Sequence, residues 1–119
     1  MKPTKFIPLV LSVCLVLAGC GREDAQLHKQ VVGNWAIDKL SLSFLPDGTF
    51  TVIQDNSTNT STCHGVWIIK KRVLICTITN SDWAEVSVGT VQRDKIVRVG
   101  ERSMIINDAG HRTTLMRKQ

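Results

Sequence analysis

From residue 31 onward the chain is cut by turn signals at intervals too short for anything but strands, and this punctuation most limits its fold. The breaks are Pro46-Asp47-Gly48, residues 55–62 (DNSTNTST), Lys70-Lys71-Arg72, Asn80-Ser81-Asp82, Gly100-Glu101-Arg102 and Asp108-Ala109-Gly110. Proline presets φ for a turn, glycine accepts positive φ, and Asn, Asp and Ser side chains bond to nearby backbone. Between breaks the pattern has period two: Leu40-Ser41-Leu42-Ser43-Phe44 puts Leu40, Leu42 and Phe44 on one strand face. The other strand candidates are residues 31–37, 50–52, 63–69, 73–79, 83–91, 95–99, 103–107 and 111–117. That makes nine short candidates, of which one or two are expected to merge or fail. No segment shows sustained helical periodicity. Residues 21–30 (GREDAQLHKQ) are polar and read as a tether or a short helix. The fold class is all-β.

The amino terminus is a different kind of segment. Lys2 and Lys5 precede an apolar run over residues 6–19 (FIPLVLSVCLVLAG), interrupted only by Pro8, Ser12 and Cys14. A helix rises about 1.5 Å per residue and a bilayer core is about 30 Å thick, so a span needs roughly 20 residues. The run is too short to span and fits a secretory leader. Leu17-Ala18-Gly19-Cys20 at its end resembles a bacterial lipobox. That resemblance implies cleavage before Cys20, a diacylglyceryl thioether and an amide-linked acyl chain on Cys20, and anchoring in a membrane. Several acyl chains hold a protein stably where one does not. Residue 21 is Gly rather than Asp, so by the same resemblance the expected home is the outer membrane, facing the periplasm. The organisation expected is a leader at 1–19, a lipidated cysteine with polar tether at 20–30, and one small domain at 31–118.

Loss of Lys2 and Lys5 with the leader lowers the formal charge from +5 to +3. The remaining excess lies late, in Arg93, Lys95, Arg98, Arg102, Arg112, Arg117 and Lys118, against Asp94, Glu101 and Asp108. Outward strand positions need polar residues, and basic side chains on edges deter aggregation. Nucleic acid is not an expected partner, because the exported chain lacks tyrosine and any interleaving of aromatic and basic residues.

Cys63 and Cys76 survive in an oxidising compartment and form a candidate disulfide. For a loop of this size the entropic gain is about 3 kcal/mol. The geometry depends on the turn. A two-residue loop at Lys70-Lys71 sets Cys63 diagonally from Cys76 on one face; a three-residue loop through Arg72 sends the two to opposite faces. The histidines, His28, His64 and His111, show no metal spacing. Cys63-His64 with Cys76 is an awkward zinc set, because adjacent strand residues face opposite sides. No metal and no cofactor are expected. Ser, His and Asp are scattered, without a nucleophile elbow or a glycine-rich phosphate loop, so no enzyme is expected. Asn56-Ser57-Thr58 and Asn59-Thr60-Ser61 match the glycosylation sequon but read as a solvated hairpin loop. Trp83, behind a turn, is a candidate partner anchor, with a core position the plainer reading.

Gly33-Asn34-Trp35, Leu42-x-Phe44-x-Pro46-Asp47-Gly48-Thr49-Phe50, Gly65-Val66-Trp67 and Ile105-Ile106-Asn107-Asp108-x-Gly110 with Arg117 occur in that order. Together they resemble the small lipocalin-like barrel domains of bacterial lipoproteins, over residues 31–118. The resemblance implies an antiparallel meander β-barrel of 7–9 short strands. It also implies that Trp35 closes the barrel floor and that Arg117 lies over it as a cation–π partner. Gly33-x-Trp35-x-Ile37-x-Lys39 returns as Gly65-x-Trp67-x-Ile69-x-Lys71, a faint echo of one strand in another. The inward candidates Trp35, Leu42, Phe44, Phe50, Trp67, Ile69, Leu74, Ile106 and Leu115 are large, so a filled or nearly filled barrel is expected. The function expected is that of a membrane-anchored, non-catalytic interaction module binding an envelope partner by its barrel surface. A carrier of a small apolar ligand is the alternative.

Overall fold

A computed structural model describes residues 21–118. Eight antiparallel strands form a closed barrel: β1 (Gly33–Ile37), β2 (Leu40–Phe44), β3 (Thr49–Asp55), β4 (Thr60–Lys70), β5 (Val73–Ser81), β6 (Val91–Val99), β7 (Ser103–Asp108) and β8 (His111–Arg117). Each strand pairs with its sequence neighbour, and β1 closes on β8 through Trp35 opposite Arg117 and Ala36 opposite Met116. This is the all-β meander that the turn spacing predicts.

The connections explain the register. Lys71 and Arg72 alone link β4 to β5, with φ of 51° and 66°. Positive φ at both centres is the type I′ geometry that matches strand twist. The loop is thus one residue later than Lys70-Lys71, and Lys70 pairs with Val73. The β2–β3 turn is built on Asp47, whose Oδ1 accepts bonds from the Thr49 amide (3.0 Å) and hydroxyl (2.7 Å). Those bonds hold the Asp47 carboxyl below its ordinary range.

One segment differs from the sequence reading and another resolves an alternative it left open. Residues 83–91, read as a strand, form the β5–β6 connection, and only Val91 enters β6. Ala84-Glu85-Val86-Ser87-Val88 alternates without a strand to pair with, whereas the polar run Gln92-Arg93-Asp94 does pair, with Cys76, Ile75 and Leu74. Residues 21–31 are helical (α1), the second of the two readings the polar stretch 21–30 leaves open. Asp24, Leu27, His28 and Val31 lie at helical spacing on one face and are the residues of α1 withdrawn from solvent. A carboxylate and an imidazole fill half of that stripe, so hydropathy alone did not reveal it.

Helix α1 seals one end of the barrel. The His28 ring stacks on Trp67 at 4.2 Å, and Leu27 and Val31 join the core with Trp35, Ile69 and Ile96. Asp24 accepts the amides of Lys71 (2.9 Å) and Arg72 (3.2 Å), and Glu23 pairs with the Arg72 guanidinium. The helix therefore also stabilises the hairpin turn that two non-glycine residues make in left-handed conformation, which costs roughly 1–2 kcal/mol per residue without compensation.

The Gly-x-Trp echo has a steric cause. Trp35 and Trp67 both point into the closed end, their indole nitrogens donating to Val31 O (2.8 Å) and Leu45 O (3.1 Å). A Cβ on Gly33 would lie 2.6 Å from the Arg117 guanidinium, and one on Gly65 would lie 2.0 Å from the Thr77 carbonyl and 2.6 Å from the Phe50 ring. Each glycine admits a neighbour that a side chain would exclude.

Candidate functional site

The barrel interior divides into two halves. Toward α1, Trp35, Ile96, Met104 and Val31 are at most 1% exposed and fill the space. Phe44 meets Trp67 edge-on at 5.3 Å and completes this floor. Toward the opposite end, where the β1–β2, β3–β4, β5–β6 and β7–β8 connections lie, the side chains stop short of one another. They leave a cup of about 150 Å³. Its walls are Leu42, Phe44, Phe50, Val52, Leu74, Ile78, Met104, Ile106 and Leu115, together with Cys76, Gln92 and Asp94. Of the expected filled or nearly filled barrel, the closed half is filled and the open half keeps this cup. The inward residues are as large as the sequence indicates, but strands β3 to β6 extend beyond the level the large side chains fill. Val52, Ile78 and Gln92 line that extension.

The polar feature of the cup is Asp94. It is 8% exposed, the only charged residue that buried among the described residues. Its Oδ1 accepts a bond from Gln92 Nε2 at 3.1 Å, and the same nitrogen donates to Asp108 Oδ2 at 3.0 Å. Burial pushes the Asp94 carboxyl above its ordinary range, and the Asp108 charge adds to the rise. Cys76, on the paired strand, has its thiol pushed up to about 12 by burial and by the Asp94 charge. It is a protonated, apolar wall residue rather than a nucleophile.

Asp94 was not a candidate in the sequence, where it belongs to a late cluster of charges. One signal could have found it: counting back by twos from the apolar Ile96 puts Asp94 and Gln92 on the inward face of β6.

The sequence-derived candidates fall in different places. Cys20 lies outside the described residues. The Cys63–Cys76 disulfide is absent, and both thiols are free. With the turn at Lys71-Arg72, Cys76 pairs with Trp67 and Cys63 with Ser81. The cysteines share the inward face but stand four β4 residues apart, about 13 Å at 3.3 Å per residue, against a Cα limit of about 7 Å for a disulfide. Cys63 Sγ instead contacts Ser81 Oγ at 3.3 Å. His64 points outward to Thr51 Oγ1, away from both thiols.

Arg117 lies over Trp35, its guanidinium carbon 4.1 Å from the ring centroid. Its nitrogens donate to Val32 O, Gln30 O and Glu101 O, at the closed end. This pair fastens the floor and lies remote from the cup. Trp83 is half-buried on the β5–β6 connection, where its amide donates to Ser81 Oγ at 3.1 Å, and it does not line the cup.

No protein-family model matches the sequence, and no curated protein matches it. Among solved structures, the chain is similar to a lipocalin-like protein from Bacteroides uniformis. The TM-score is 0.63 at 14% identity, over 75% of this chain and 99% of that one. An uncharacterized protein from Bacteroides eggerthii gives a TM-score of 0.60 at 14% identity, over 73% and 98%. At such identity the likeness shows the fold alone, and the fold is a lipocalin-like barrel.

Proposed function

We propose that this chain is a non-catalytic binding module that holds one small guest in the open half of its barrel. The observation that carries the reading is the apolar cup of about 150 Å³, closed at its base and open at its mouth. An apolar cavity of about this volume takes a benzene-sized guest, whereas drug-sized sites run from about 300 Å³ upward. The guest is therefore a single small group and not an acyl chain. The cup offers no nucleophile, because Cys76 is held protonated and Asp94 is the one ionisable group beside it.

The lipobox resemblance supports an anchor at Cys20, in the bacterial envelope and by preference in the outer membrane. The described part of helix α1 starts at Gly21, next in sequence to Cys20, and packs on the closed end, so an anchored barrel would turn its mouth away from the bilayer. A second reading is supported by the outer face of β4, where Val66 and Ile68 are 48% and 49% exposed. In that reading the barrel surface binds an envelope protein. Native mass spectrometry of protein extracted gently from its own envelope separates the two. A bound small mass supports the cup, and a bound protein with an empty cup overturns it in favour of the surface. An acyl mass at Cys20 in the same spectrum tests the anchor.

A further inference from the structure

The carboxylate in the cup has no counter-charge. Among the described residues, the only ion pair within hydrogen-bonding reach is Arg72 with Glu23, at the other end of the barrel. The groups around Asp94 are Leu74 opposite it on β5, Cys76, Gln92 and the second carboxylate of Asp108. None is positive. Gln92 satisfies Oδ1 and is shared with Asp108, which leaves Oδ2 without a protein donor. An ionised carboxylate withdrawn from water is costly unless it is paired.

The rest of the wall is hydrocarbon, with Leu42, Val52, Ile78 and Ile106 within the same cup. An anionic guest would meet the Asp94 carboxylate, with the charge of Asp108 behind Gln92 adding to the repulsion. A neutral hydrocarbon would complete the desolvation of Asp94 and give nothing in return. A cation on a small apolar body satisfies both parts of the wall at once, since a charge-assisted bond to a carboxylate is roughly twice as strong as a neutral one.

We propose that the cup binds a small organic cation, a protonated amine on an apolar body of about benzene size, with its nitrogen on Asp94 and its hydrocarbon against the opposite wall. The inference rests on the cup being a binding site, and its test keeps the two apart.

Benzylammonium, benzyl alcohol and benzoate share one ring and differ in charge. Each is titrated into the protein and into Asp94→Asn, with backbone amide shifts of the cup-lining strands as the readout. In the parent, benzylammonium should bind at least about 10-fold more tightly than benzyl alcohol, and benzoate should not bind. In Asp94→Asn that preference should vanish while benzyl alcohol binds as before. Equal binding of amine and alcohol in the parent, or an amine preference that survives Asp94→Asn, overturns the inference and leaves the cup standing. If none of the three shifts the cup residues, the cup itself is refuted as a binding site, and the inference with it. The unfolding temperature of Asp94→Asn establishes that the variant is folded.

Discussion

The guanidinium of Arg117 sits 4.1 Å from the centre of the Trp35 ring, while its three nitrogens bond to three carbonyls: Gln30 at the end of α1, Val32 leading into β1, and Glu101 in the β6–β7 turn. One planar group thus joins the helix, the first strand, the last strand and a turn. Lysine keeps the charge but cannot present the fork. Arg117→Lys is expected to lower stability by about 2 kcal/mol, the scale of a desolvated cation–π contact or of one bond to a charged group. For a domain of this size that is a fall of about 10 °C in unfolding temperature. A loss no larger than that of an ordinary surface substitution would show that the fork does not fasten the floor.

Two glycines separate close packing from backbone conformation. Gly65 has an ordinary φ, but a Cβ there would lie 2.0 Å from a backbone carbonyl, which cannot move aside. Gly89 has φ of 93° with nothing within 4 Å. Gly65→Ala should cost about 3 kcal/mol or more through overpacking, and Gly89→Ala about 1 kcal/mol through strain. Urea unfolding of the two variants checks the order, and a reversed order contradicts the close approach of β4, β5 and Phe50.

Asp94 should make stability depend on pH in a stated direction. Its carboxyl is raised in the folded state, mainly by burial, so the fold favours the protonated form. The penalty for ionised Asp94 is absent below the unfolded pKa. It grows as pH rises from there to the folded pKa and is constant above. Asp94→Asn removes it. The variant should therefore unfold at higher temperature than the parent near neutrality, and the two curves should converge below about pH 3.5. A difference that does not change with pH would refute the assignment.

The thiols should be single and slow. Cys76 is pushed up to about 12, and Cys63 is buried against Ser81. Alkylation of Cys76 near pH 8 should proceed at least about 100-fold more slowly in the folded protein than in denaturant, because only the thiolate reacts. A mass two hydrogens short of the free dithiol in the folded protein would contradict the β4–β5 register itself.

The fold was more legible than the site. Alternation in Leu40–Phe44 and the chemistry of Pro46-Asp47-Gly48 and Asp108-Ala109-Gly110 mark strands and turns directly, because side-chain period and turn φ are local properties. The β5–β6 connection reads as a strand because Ala84-Glu85-Val86-Ser87-Val88 has the right period, but it has no partner strand, and pairing is not local. The sequence leaves residues 21–30 between a tether and a short helix because Asp24 and His28 face inward to serve a turn and a tryptophan. The disulfide turned on one residue of loop position, Lys70 against Lys71, which composition does not resolve. Asp94 was hidden for a related reason. A charge at an inward position breaks the very pattern by which inward positions are recognised, so the residue that gives the cup its character is also the one that hydropathy discounts.

The barrel's seam also sets an order of events for a growing chain. Every hairpin from β1–β2 to β7–β8 joins neighbours in sequence, and only β1 with β8 joins the two ends. Local hairpins can form as each strand is delivered, but the ring waits for its last seven residues, because contacts across a long stretch of chain repay the closure entropy late. Until Arg117 arrives, Trp35 has β2 on one side but neither its cation nor its second neighbouring strand. A chain cut short at its carboxyl end would therefore present an open sheet with two bare edges and an uncovered indole, a shape suited to aggregation. The vulnerability of this small barrel lies where its beginning meets its end.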